Sequence, residues 1–267
     1  MSADFEKFTF KKRLKSMLGV DFRRMLVSPI FYIMIGASLV MPILILVMTT
    51  MMDGTVSVDP TTGAETVMEG FKNVWQIIGS LSGSAQGMAM DITSMCNINM
   101  MFFIIAVFVC IFVGDDFTSG YAKNLFTIRS NKSDYVISKS IVCFASGAGM
   151  IIAFFIGSMI GGAISSLPFT LDGVNVYNVI MCMLSKILLV GIFTSIYVLA
   201  SVVAKTRLWL SLIVAFGIGM LMFMMIPIIT PLDSGIMNVI LCLAGSLLFS
   251  LGIGAITKLI LDKSSIL

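Results

Sequence analysis

Long apolar runs broken by short charged stretches make up this chain. Six stretches contain no charged residue: 25–52, 92–114, 140–171, 187–204, 208–232 and 234–257. A helix crossing the hydrocarbon of a bilayer needs about 20 residues, so five of the six suffice unaided. The fourth becomes long enough if it begins near Tyr177 and tolerates Lys186. A seventh uncharged run, 73–90, reads NVWQIIGSLSGSAQGMAM and would carry Asn, Gln, Ser and Gly into lipid, so it is not read as a span. The pattern predicts one all-α, polytopic transmembrane domain over 1–267, with spans near 30–52, 92–114, 140–164, 177–204, 208–230 and 235–257. Pro227 and Pro231 predict a break in the fifth span, because proline lacks an amide proton and crowds the preceding turn.

The segments between spans carry their own patterns. Within an N-terminal elbow, 1–28, Phe10, Leu14, Leu18, Phe22 and Met25 recur at helical spacing opposite Lys11, Lys12, Lys15 and Arg23. That predicts an amphipathic helix lying in the interface, with Pro29 marking the turn into the membrane. In the first loop, 53–91, TVSV and AETV flank DPTTG and predict a small hairpin. Trp75 suits the headgroup layer.

Composition narrows the class further. The chain is 58% hydrophobic and 12% charged, with a mean hydropathy of +1.05; soluble domains run near 25% charged. The N-terminus opens on a charged stretch, so no cleaved signal peptide is expected. Lys and Arg set the orientation, since they accumulate on the cytoplasmic side. Fifteen of the seventeen fall in 1–24, 115–139, the 205–207 turn and the tail; Lys72 lies outside and Lys186 within a span. Both termini are therefore expected in the cytoplasm and the chain in the cell membrane.

Several chemistries are absent. No GxxxxGK[ST] motif occurs, so ATP is not bound through a P-loop by this chain. Without histidine, Ser-His and Cys-His nucleophile pairs are excluded. Cys96, Cys110, Cys143, Cys182 and Cys242 form no CxxC, and no metal site is expected. No carboxylate lies deep in a span, which argues against a proton-coupled carrier. Sodium coupling through backbone carbonyls stays open.

The connection from Asp115 to Lys139, DDFTSGYAKNLFTIRSNKSDYVISK, is the most informative segment. Phe117, Tyr121 and Leu125 fall at i, i+4 and i+8 on a short polar helix. With none of its own chain expected beneath it, that ridge reads either as lying on lipid or as a docking element for a cytoplasmic partner. Gly120 would let a partner approach. The segment resembles the corresponding one in the membrane (permease) subunit of ABC exporters of the type-2 family. There an acid, three residues, Gly and Lys-Asn-Leu precede a turn, an aromatic and Ser-Lys. Here these are Asp116, Gly120, Lys123-Asn124-Leu125, Ser133, Tyr135 and Ser138-Lys139; Asn131-Lys132-Ser133 departs from the family's usual Arg at the turn. The elbow ending near Ser-Pro, the six spans and the longer first external loop are similar too.

The resemblance implies a permease dimer, whether of identical or related chains, working with two separate ATPase subunits that bind ATP and Mg. Coupling would pass through Asp115, Asp116, Phe117, Gly120, Tyr121, Lys123, Asn124 and Leu125, and this chain would not itself be an enzyme. Compact permeases of this kind resemble exporters of short peptides such as bacteriocins or cytolytic peptides, the phenol-soluble modulins among them. Drug or lipid efflux is an alternative, as are an ion-gradient carrier and a non-transporting scaffold.

Two features inside the spans complete the sequence picture. Ala145, Gly149, Ala153, Gly157 and Gly161 form a small-residue stripe, and Ser211, Ala215 and Gly219 a shorter one, which allow close helix packing. Lys186 either pairs with an outer acid such as Asp172 or Asp91 or meets an acidic group of the cargo in the pathway. Thiols introduced at Thr61 and Ser234 should react with an impermeant reagent in intact cells, and those at Ser130 and Ser265 only after permeabilisation. Labelling of Ser130 from outside would overturn this topology.

Overall fold

The computed structural model describes residues 10–58, 65–81, 96–128, 132–171 and 173–263. Its helices are α1 (Phe10–Val27), α2 (Pro29–Met52), α3 (Met101–Thr118), α4 (Tyr121–Ile128), α5 (Lys132–Ile164), α6 (Val176–Ala204), α7 (Leu208–Phe223), α8 (Ile226–Ile229) and α9 (Ile236–Lys263). Strands β1 (Val56–Val58) and β2 (Glu65–Val67) pair antiparallel with Val56 opposite Val67, and the turn of this expected hairpin lies outside the described residues. Among the described residues five helices are long and apolar enough to cross a membrane, and α7 is a shorter apolar helix. The architecture is that of an all-α polytopic membrane protein.

Helix α6 is the centre of the bundle. In its most apolar window 78% of residues are buried, against 17% for α2 and 11% for α9. Helices α9, α3, α5 and α7 surround it, and α2 lies along α5. In lipid the hydrophobic effect does little to hold helices together, so small residues that admit close approach take over. The stripe on α5 does this against α2. A methyl group on Gly157 would collide with the Leu39 carbonyl, and one on Gly161 would sit 2.8 Å from the Ile43 Cα. On α7 the buried residues are Ser211, Ala215 and Gly219, the second stripe; Ser211 shares a hydrogen bond with Ser201 of α6 at 3.0 Å.

Among the described residues, helical structure before α3 starts at Ile98, where the Asn97 side chain accepts from the Asn99 amide, and residues 92–95 lie outside them. Two element ends differ from the apolar runs. Helix α5 starts at Lys132, not near 140; its 33 residues span about 50 Å, longer than the roughly 30 Å hydrocarbon of a bilayer. Helix α7 stops at Phe223, four residues before Pro227, and a turn at Met224–Met225 leads into α8. The proline ring would clash with the carbonyl at that fourth position, which accounts for the break.

At the end of the bundle away from α1, the polar run 73–90 explains itself in part. A 3-10 turn at Val74–Ile77 inserts Val74, Ile77 and Ile78 into the bundle, all fully buried. Trp75 donates to the Phe169 carbonyl at 3.2 Å, and the Leu232 amide to the Ser80 carbonyl at 2.8 Å. Residues 82–90 lie outside the described part. So do Thr61, Ser130 and Ser265, whereas Ser234 is buried at 1% exposure, making exposed Thr55 the better outer labelling site.

Gly157→Ala should destabilise the α2–α5 contact by about 1–3 kcal/mol, the usual cost of forcing a methylene into a packed site. Gly217→Ala, where a Cβ meets nothing within 4 Å, should be neutral or better. Thermal unfolding of the two purified variants in one detergent checks the contrast.

Candidate functional site

At the end of the bundle where α1 and the last turns of α9 lie, a charged cluster is buried where α1, α3 and α5 meet. Asp21 of α1, Asp116 of α3 and Lys139 of α5 are each fully buried. The Lys139 ammonium lies 2.9 Å from Asp21 Oδ1 and 2.8 Å from Asp116 Oδ2, held by charge rather than by aligned hydrogen bonds. Arg24 donates to Asp116 Oδ1 at 2.6 Å. Tyr135 donates to the other oxygen of Asp116 at 2.8 Å, and Ser138 to Asp21 Oδ2 at 2.5 Å. Two carboxylates thus face two cations and the cluster is neutral. That is the condition under which charges are tolerated away from water. Arg13 adds a second tie between α1 and α5, through Asp134 at 3.1 Å.

Helix α4 sits on this cluster. Gly120 makes the turn from α3 into α4 with φ at +75°, a left-handed conformation that a side chain would strain. Tyr121 then stacks under Arg24, whose guanidinium carbon is 4.1 Å from the ring centroid, a cation–π contact. Lys139 lies 4.3 Å from the centroid of Phe112. Burial raises the Tyr121 phenol above its ordinary pKa, and Asp21 adds to the rise, so the ring stays neutral beneath the cation. Burial alone would lower Arg24, but its interactions with Asp116, Tyr121 and Asp21 together outweigh it and the net shift is upward.

This arrangement corrects the expectation of an unsupported ridge. Phe117 and Leu125 pack on the chain's own core, and Phe117 meets Tyr135 edge-on at 6.5 Å. The ridge faces inward because α5 is already helical from Lys132 and provides a surface beneath α4. Asp116, one of the coupling residues the resemblance implied, is wholly buried and holds Arg24, Tyr135 and Lys139. The outward face of α4 is polar instead: Lys123, Asn124 and Thr127 are exposed. Asp115 is exposed too and lies 3.7 Å from Arg24.

Asp116, Tyr135 and Ser138-Lys139, separate letters in one linear motif, therefore belong to one ion cluster. Asp21 and Arg24 were not singled out by sequence. The available signal was Asp21 at the mid-point of Met17, Asp21 and Met25, an acid on the stripe that buries.

A second buried charge sits inside the bundle. Lys186 is fully buried and donates to Asn99 Oδ1 at 2.9 Å and to Thr230 Oγ1 at 3.0 Å. It bridges the start of α3, the middle of α6 and the segment just after α8. Among the described residues no carboxylate pairs with it; Asp91 and Asp172, its expected partners, lie outside them. Thr230 in turn donates a hydrogen bond to the Ile226 carbonyl at 2.8 Å, so the lysine fixes the broken fifth segment in place.

Comparison with known proteins bears on the whole of this region. A family model described as "ABC-2 family transporter protein" matches residues 22–225, which takes in α3, α4, the start of α5 and Lys186. No curated protein and no solved structure matches the chain.

Asp116→Asn should leave Lys139 and Arg24 short of one buried countercharge and cost about 3–5 kcal/mol of stability. Asp115→Asn, at the solvated edge, should change stability by less than about 1 kcal/mol. Thermal unfolding of both variants beside the wild type separates a buried lock from a set of surface charges.

Proposed function

The chain belongs to the ABC-2 family of transporter proteins, and from that premise we propose that it is a permease subunit pairing with a second permease and two separate ATPase subunits to export hydrophobic or amphipathic cargo. The observation that carries the mechanism is the stack of Tyr121 on Arg24 above the Asp21–Asp116–Lys139 cluster. A partner that binds the exposed face of α4, with Lys123, Asn124 and Thr127, moves a helix whose inner face is tied to α1, α3 and α5. Asp115, Asp116, Phe117, Gly120, Tyr121, Lys123, Asn124 and Leu125 then divide into two sets. Lys123 and Asn124, with Asp115 at the edge, meet the partner; the others transmit its movement inward. ATP and Mg belong to the partner subunit, and the basic face bearing α4 is the cytoplasmic one.

Cargo chemistry is read from the interior. Lys186 places one positive charge among apolar walls, and it meets an acidic group of the cargo once its contact with Thr230 is released. A short amphipathic peptide with a free carboxylate fits this pattern, and so does an anionic drug or lipid.

Lys123→Glu should lower capture of the ATPase subunit about tenfold through charge mismatch while the permease keeps its wild-type melting temperature. Tyr121→Ala should lose both stability and nucleotide-driven export. Lys186→Met should leave ATPase capture intact and depress export. Pull-down of the ATPase and an export assay on the same three variants check all of this. Export driven by an ion gradient without any ATPase subunit would overturn the proposal.

A further inference from the structure

Along one flank of the bundle α5, α6 and α9 leave an apolar cleft of about 710 Å³. Val136, Ile141 and Phe144 of α5 and Leu247 and Leu251 of α9 form its walls. Its floor carries hydroxyls: Thr194 and Ser250 donate to the Gly191 carbonyl, Ser250 also shares a hydrogen bond with Ser195, and Ser140 and Ser246 line the cleft as well. The rest of the interior offers an occupant apolar contact.

The mouth is different. At the basic end the cleft opens beside Ser133 and Lys258. Neighbouring Lys132 is engaged by the Leu261 carbonyl at 2.5 Å and lies 3.9 Å from Asp262. Lys258 is exposed, and among the described residues no carboxylate pairs with it. The mouth thus presents a positive charge at the edge of an apolar cleft.

Depth identifies the occupant. From Lys258 to Leu243 the cleft follows α9 for fifteen residues, about 22 Å, and from Ser133 to Phe144 it follows α5 for eleven, about 16 Å. One leaflet, headgroup included, is about 20 Å deep, so the cleft ends near the bilayer midplane. A helix from a second copy would need a seam running the full thickness. An acyl chain needs one leaflet. Ile137 and Leu247, both exposed, border an opening that faces sideways into lipid.

We propose that this cleft binds an anionic phospholipid, with the phosphate on Lys258 and one acyl chain between α5 and α9. The charge distribution assigns that leaflet to the cytoplasmic side, where anionic lipid concentrates, though the binding itself does not depend on which leaflet it is. The site stands apart from the α4 cluster, so its test does not rest on coupling to an ATPase.

Native mass spectrometry of the full-length chain, titrated with phosphatidylglycerol or with phosphatidylcholine of the same acyl chains, decides it. The expected result is preferential retention of phosphatidylglycerol, a preference that Lys258→Ala lowers about fivefold and Lys263→Ala leaves unchanged. Leu247→Trp, at an exposed position that does not threaten folding, should fill the cleft and reduce retention of both lipids. Equal retention of the two lipids by the wild type would overturn the proposal, as would equal losses from the two lysine variants. Unchanged retention in Leu247→Trp, or a shift in its oligomeric state in place of lost lipid, would also sink it, the latter by assigning the cleft to a second copy.

Discussion

Two carboxylates and a lysine share a site closed to water, with the partly exposed Arg24 at its edge, and the arrangement of the basic end follows from keeping that site neutral. Moving a buried ion out of water costs several kcal/mol even after relaxation, so none of Asp21, Asp116 and Lys139 can leave alone. Because Asp21 and Arg24 come from α1, Asp116 from α3 and Lys139 from α5, three helices are bound to one another by a requirement that acts on charge. Helix α4 joins them through Tyr121, whose ring lies under Arg24. A displacement of α4 must carry Arg24 along or break that stack, which makes a four-helix unit of what the chain presents as an interfacial elbow, two span ends and a connection.

Inside the membrane a different logic holds. The α2–α5 seam depends on glycine positions that admit a neighbour's backbone, and α6 meets α7 through a pair of hydroxyls, Ser201 and Ser211. Neither contact needs water to be expelled; both need shape and satisfied polar groups. Lys186 is the one full charge in this interior among the described residues. Its two neutral partners reach it from the start of α3 and from the residue after α8, so the break created by Pro227 is held at a definite place. At the far end, the inserted 3-10 turn and the Leu232–Ser80 backbone bond cover that same region. The bundle is thus tied by ions at one end and by backbone and amide hydrogen bonds at the other.

Most of the architecture was legible in the sequence because hydropathy and helical period are local quantities. Six apolar runs, the elbow, the hairpin and the proline break each rest on residues within a few turns of one another. The polar side chains of 73–90 also rejected it as a span, and the structure supplies an alternative for its start, a buried 3-10 turn. What could not be read was the direction in which short helices face. The ridge of Phe117, Tyr121 and Leu125 has a clear period, but a period does not say what covers it. The answer lay in α5 starting eight residues early.

The sequence by itself determined that this chain enters a membrane and where it turns, because burying some twenty residues in hydrocarbon is decided by those residues alone. It also supplied the letters of the motif on which the family likeness rests. Only the tertiary structure decided that Asp116, Tyr135, Ser138 and Lys139 form an internal lock with Asp21 and Arg24. These partners stand 92 and 117 residues apart along the chain for Arg24–Asp116 and Asp21–Ser138. No local pattern specifies which of fourteen acids meets which of seventeen bases. That choice is made by helix packing, and the cost of an unpaired buried charge then enforces it.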